Sequence, residues 1–190
     1  MEDVSAPTID ADISLTPPPS ARLIFQPLNA ASKDDRSFYH NLYLCLDTCR
    51  HIGGVKSPEK ISKLFKYICR NHSHGKLLQF KIIEKDSSHA IGVCALIWAK
   101  QCKAVEAGIH LHAKYHRAGY GQEILNHLIT HAFSTLQVDE ILCRYEADNT
   151  ASKKLVENLP FHRIQVSETD WIIVPRCQST PQSKNQKASA

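Results

Sequence analysis

The chain lacks several things, and each absence narrows what it can be. No stretch of eighteen or more apolar residues occurs in its 190 residues, so neither a membrane-spanning helix nor a membrane partner is expected. The beginning carries no basic segment followed by an apolar run, so no export signal is expected. Cys-x-x-Cys pairs are missing, and the seven cysteines are irregularly spaced. They read as reduced thiols in a cytoplasm rather than as a disulfide framework. Two mixed groups, Cys45/Cys49/His51 and Cys69/His72/His74, have ligand chemistry. Buried cysteine is a common core residue, however, and no metal is expected. Dense charge is missing too. A formal net charge of +4 suits an anionic ligand but is too thin to imply nucleic acid. There is no internal repeat.

What remains is ordinary globular composition, with 43% hydrophobic and 22% charged residues. Residues 1–20 carry Glu2, Asp3, Asp10 and Asp12, no Lys or Arg, and the run TPPPS; they read as a disordered or loosely docked arm. Residues 177–190 are polar and read as a second loose tail. One domain over 21–176 lies between them.

Within it, RLIFQPL (22–28) reads as a strand ended by Pro27. Phe38, Leu42, Cys45, Leu46 and Cys49 recur at helical spacing over 34–49. A second helix over 58–70 has Ser57 as N-cap, Pro58 in the first turn and Glu59 suited to the dipole. Three strands follow (76–85, 89–100, 104–113), with short connections that predict antiparallel neighbours. A helix over 120–136 has the most regular apolar face in the chain; on it His131 lies off the stripe, on a side expected to be solvated. A strand at 140–148, a short helix at 150–158 and a closing strand pair complete an α/β (α+β) layer fold with a mostly antiparallel sheet.

The stretch HRAGYG (116–121) sits at the mouth of the regular helix. A helix start offers unpaired N–H groups and partial positive charge, and glycine lets an anion reach the main chain. A phosphate cradle and a plain turn needing positive φ are equally compatible with the spacing. A P-loop is excluded, because Gly121 is followed by Gln122 and Glu123. A dinucleotide fingerprint is excluded by Ile124 at the third glycine position and by Asp139, which precedes its strand.

HLHAKYHRAGYGQEIL (110–125) resembles the acetyl-CoA-binding motif of the GNAT acetyltransferases, with His116 in the Gln/Arg place and Gly119 and Gly121 as the glycines. DNTASKKLVENLPF (148–161) and RLIFQPL are similar to two further blocks of the branch that acetylates ribosomal-protein N-termini, the RimJ/RimL-like enzymes. The resemblance covers about 22–174 and implies a GNAT fold whose splayed central sheet is flanked by helices. It departs at Ala113 and Pro160, where the family has proline and glycine. It departs again at Val156, which excludes the tyrosine acid many members carry there.

The resemblance implies acetyl transfer from acetyl-CoA to a primary amine in a cytoplasmic enzyme, monomeric or homodimeric. Main-chain groups around Leu111 and His112 would pair with pantetheine. His116 and the amides of Arg117, Ala118, Gly119, Tyr120 and Gly121 would hold the diphosphate. Asn149 would bond pantetheine, if it is not simply a helix cap. Ser152 would lie near the thioester sulfur, with Tyr145 as a fallback acid. For the base, strand alternation places Glu106, Gly108, His110 and His112 on one face, which is either a cleft or a solvated surface. Glu168 and Asp170 are second candidates. The acceptor is expected to be an N-terminal α-amine, whose pKa of about 7.7–8 leaves a fraction neutral, whereas lysine at about 10.4 would need a strong base. Alternatives are a small-amine (polyamine or antibiotic) acetyltransferase and a non-catalytic acyl-CoA sensor.

Overall fold

The structure, a computed structural model, describes residues 15–99 and 103–175. In chain order the elements are β1 (Leu23–Pro27), α1 (Lys33–Leu44), α2 (Leu46–Cys49), α3 (Pro58–Ser73), β2 (Leu77–Glu84), β3 (Ala90–Ala99) and β4 (Ala104–Leu111). After a 3-10 turn (Ala113–Tyr115) come α4 (Tyr120–Ser134), β5 (Glu140–Arg144), α5 (Thr150–Glu157), β6 (His162–Gln165) and β7 (Asp170–Val174). The seven strands form one sheet in the order β1-β2-β3-β4-β5-β7-β6. All neighbours are antiparallel except β4 and β5. The mixed α/β architecture is the one the sequence predicts.

Helix starts follow local chemistry. Ser57 caps α3 by accepting from Lys60 N, and Pro58 occupies the first turn, where a missing N–H costs nothing. Ser32 does the same for α1 through Asp35 N. The expected single helix over 34–49 is broken. Cys45 is extended (φ −79°, ψ 114°), and the chain restarts as α2. The free carbonyls of Leu42 and Tyr43 accept from the Cys49 thiol, which replaces the continued helix. The predicted stripe holds at Leu42 and Cys49, which are buried, but fails at Leu46, which is 71% exposed, and Tyr39 and Tyr43 are buried outside it.

Alternation along β4 divides the core in two. Val105 and Ala107 face α4 in the larger cluster, with Ile124, Leu128, Ile141 and Cys143. On the other face, Tyr39, Leu42, Ile61, Phe65, Leu77 and Val93 pack α1 and α3 onto the sheet.

Residues 15–20 lie along α4. His131 meets Leu15 O at 3.3 Å, and His127 meets Pro18 O at 2.5 Å while stacking on Phe25. His131 is consequently 4% exposed, not solvated: the arm covers the side of α4 that the helix pattern alone leaves bare.

Candidate active site

The site begins where β4 and β5 part. They pair only through Ala104↔Glu140, Val105↔Ile141 and Glu106↔Leu142; beyond this β4 runs on to Leu111 with no strand of the described residues on that side. The amide of His112 bonds Ile91 O at 2.9 Å, so even-numbered residues of β4 turn their main chain to β3. Odd-numbered residues, Ile109 and Leu111 among them, turn theirs into the gap. Gly92 makes this lean possible: a Cβ there would sit 2.5 Å from His110 O. The expectation for His112 needs correcting on this ground. Its amide is taken by Ile91, its carbonyl accepts from Tyr115 N, and its ring accepts from Lys114 N. Leu111 keeps its orientation toward the gap, but its carbonyl meets His116 Nε2 at 3.0 Å. His116 thus folds back onto the strand end.

The mouth of α4 lies just past that gap. Arg117 (φ 62°) and Gly119 (φ 79°) both adopt the left-handed region, which turns the chain sharply into the helix. Gly119 is the N-cap and offers no side-chain cap, so the first amides of α4, at Tyr120 and Gly121, lack an internal acceptor of that kind. Arg117, Ala118 and Gly119 are exposed. Gly121 has another reason to be glycine: a Cβ would meet the Leu155 side chain at 3.1 Å, so it sets the approach of α5 to α4.

Arg22, which sequence reasoning did not single out, braces this loop. Its Nη1 donates to Ala118 O at 3.1 Å and its guanidinium lies 4.3 Å from the Tyr120 ring centroid. Its main-chain N and its Nε donate to the two carboxylate oxygens of Glu123 at 2.9 and 2.7 Å. Ser20 Oγ also donates to Glu123. Burial works against ionisation of Glu123, but these bonds outweigh it and hold the carboxyl below its usual range. The Tyr120 hydroxyl donates to Glu84.

On the opposite sheet face, Glu106, Arg144 and Asp170 form a chain across β4, β5 and β7. Arg144 Nη1 lies 3.5 Å from Glu106 and its Nε 2.8 Å from Asp170. Ile97, across from Glu106, and Ile164 are exposed, so this part of the face is open. Arg144 was missed from sequence, although β5 alternation places it on the face of Leu142, the partner of Glu106. His110 is drawn away from the open part. Its ring packs 4.8 Å from Tyr43, its Nε2 is 4.0 Å from Cys49 Sγ, and burial pulls its pKa down to about 4.

Asn149 caps α5, accepting from Ser152 N at 3.0 Å. Ser152 stands on the first turn, half-buried. Glu168 lies exposed in the β6–β7 turn, apart from the Arg144 chain; its carbonyl accepts from Tyr145 Oη at 3.3 Å. The Tyr145 oxygen in turn accepts from Trp171 Nε1 at 2.9 Å.

Neither anticipated Cys/His group assembles. Cys49 bonds main-chain oxygens, the His72 ring accepts from Gln79 N, and the His74 ring meets Arg70 O. Among the described residues one trio with ligand chemistry is close together: His51, Glu146 and Asp148, all at the surface. It ties the α2–α3 loop to the turn before α5, with His51 Nδ1 at 3.2 Å from Asp148.

Comparison with known proteins agrees with this geometry. Residues 22–162 match the family model described as the acetyltransferase (GNAT) domain. An N-acetyltransferase of Bacillus licheniformis, called p20 and uncharacterised, is 30% identical over 90 residues. That match covers 47% of this chain, which spans about half (51%) of the relative's length. Two solved structures share the fold. RimL, a ribosomal L7/L12 α-N-protein acetyltransferase in complex with coenzyme A, superposes with a TM-score of 0.65 at 19% identity, over 83% of this chain and 95% of its own. Spermidine N-acetyltransferase from Vibrio cholerae, bound to CoA and spermine, gives 0.62 at 17% identity, over 81% and 94%. With a splayed β4–β5 pair, a left-handed turn opening α4 and a family match over most of its length, the chain belongs to the GNAT acetyltransferase family.

Proposed function

We propose that the protein moves an acetyl group from acetyl-CoA to a primary amine by direct attack in a ternary complex. A protein N-terminal α-amine is the favoured acceptor, as in the RimJ/RimL-like branch. The observation that carries this reading is the left-handed turn at Gly119, which delivers uncapped helix amides beside the β4–β5 gap. The residues present fit the coenzyme. The amides from Arg117 to Gly121 and the α4 dipole suit a diphosphate. The main chain of Ile109 and Leu111 suits an extended amide-bearing arm, and Asn149, its oxygen used by Ser152 N, keeps its amide hydrogens available.

Acetyl-CoA supplies an activated thioester carbonyl; the chain must orient it and manage two protons. Glu106 and Asp170 present carboxylates to an incoming ammonium on the open face, with Arg144 between them. An α-amine, part of which is neutral near pH 7, needs less help from a base than lysine does. Ser152 Oγ makes no hydrogen bond among the described residues and serves as donor to the leaving thiolate. The Tyr145 hydroxyl already points its proton at Glu168 O.

A second reading, a polyamine acceptor, has its own support. Glu106, Asp170, Glu146 and Asp148 gather on this side against Arg144 and His51. The test is calorimetry with acetyl-CoA, then thiol release against an N-terminal peptide panel and against spermidine. Faster turnover of spermidine moves the reading to small amines; coenzyme uptake without turnover of any amine makes the protein a sensor. Glu106→Gln and Ser152→Ala each lower turnover by at least about tenfold with coenzyme affinity held within about twofold. Unchanged rates in both remove these residues from the mechanism.

A further inference from the structure

We propose that the outer face of α3 is a docking surface for single-stranded RNA. Lys60, Lys63, Lys66 and Arg70 are all exposed. At 100° per residue they fall within about 120° of helix circumference, along about 15 Å of its axis. Among the described residues none of the four side chains is ion-paired. Tyr67, 59% exposed, stands between them, one residue from Lys66 and three from Arg70. Beside it a cleft of about 440 Å³ is lined by Lys66, Tyr67, Arg70, Asn71, His74 and Lys76. A second opening shares Lys66 and Arg70 and reaches the β1–α1 loop at Asn29 and Ala30.

Helix stability does not account for this arrangement. Arg70 near the C-terminal end of α3 complements the dipole, but Lys60 stands in its first turn, where a cation is unfavourable, and Lys63 and Lys66 lie too far from either end to be favoured by it. Packing does not require them, since the helix buries its opposite face, Ile61, Phe65 and Ile68. A row of cations with an exposed aromatic ring at its centre fits a strand of phosphates whose bases need a stacking platform. An acidic polypeptide would use the cations and leave Tyr67 without a role. The expectation drawn from composition was no nucleic acid partner. A charge that looks thin when averaged over the chain is concentrated by folding on one face, pointing away from the coenzyme gap.

The test is fluorescence anisotropy of the full chain with a labelled oligouridine of about 20 nucleotides. Four phosphate contacts give a log–log salt slope near −3, so affinity falls about fiftyfold between 50 and 200 mM salt. The double variant Lys63→Gln/Lys66→Gln halves that slope. Tyr67→Ala weakens binding about tenfold and leaves the slope unchanged. All variants keep wild-type coenzyme uptake and melting temperature, which separates loss of docking from loss of fold. Absence of saturable binding at 50 mM salt overturns the proposal, as does a slope unaffected by the double variant. So does polyglutamate competing as well as RNA at equal charge, which reassigns the face to an acidic polypeptide.

Discussion

The two sides of the β4–β5 gap are built from different material. At the mouth of α4 the exposed polar groups are main-chain amides, in a turn fixed by two left-handed residues and braced by Arg22 and Glu123. On the opposite face the polar groups are side chains: Glu106, Arg144 and Asp170, ion-paired and exposed or half-buried on strands. A site made of backbone constrains the residues that shape it but not those that decorate it, so one fold can keep its coenzyme while the acceptor changes. That contrast makes predictions of graded size.

The largest effect lies beside the side-chain face, where His110 turns from it into the α1–α3 core. Burial lowers the His110 pKa to about 4, so His110 is neutral in the folded protein and charges more readily when unfolded. Its contribution is full above about pH 6.5 and is lost as pH falls toward 4, about 3 kcal/mol in all. His72 and His131, also lowered by burial, add in the same direction. Urea unfolding across this range should give a steep curve for the wild type and a flatter one for His110→Gln; parallel curves would remove His110 from the account.

Next comes Gly92, which lets β4 lean onto β3. Gly92→Ala forces a Cβ against His110 O and should cost about 2 kcal/mol by thermal unfolding. Coenzyme binding should also weaken, because the gap loses its shape. Normal affinity in a destabilised variant would separate the lean from the site.

At the α4 mouth, Gly119→Val should reduce coenzyme affinity at least about tenfold in calorimetry, because its φ of 79° is costly for a β-branched residue. The smallest changes should come from Arg117→Ala and His116→Ala, each within about threefold if the main chain does the gripping. A larger loss for either than for Gly119→Val would invert the comparison.

The same contrast explains what the sequence made legible. Gly119 was readable because a left-handed turn at a helix start leaves a local signature, and α3 because Ser57, Pro58 and the apolar stripe agree on a helix over 58–70, which runs on to Ser73. Arg22 was not: it acts on Ala118 and Glu123 from about a hundred positions away, and no local pattern marks such a partner. His131 was misjudged for a related reason, since its cover comes from residue 15. The break at Cys45 was hidden because helical spacing runs through it, while the Cys49 thiol that satisfies the broken end depends on tertiary packing. Alternation and resemblance singled out Glu106 and Asp170, but Arg144, which is ion-paired to both, needed the strand order.

The seam from Ser20 and Arg22 to Glu123 has a practical consequence. A protein shortened at its front by some two dozen positions would still display HRAGYG intact, and a motif scan would score it as complete. Yet the bonds from Ser20 and Arg22 that hold Glu123 and Ala118 behind that turn would be gone. Genome annotation by signature alone would therefore count such a fragment as competent.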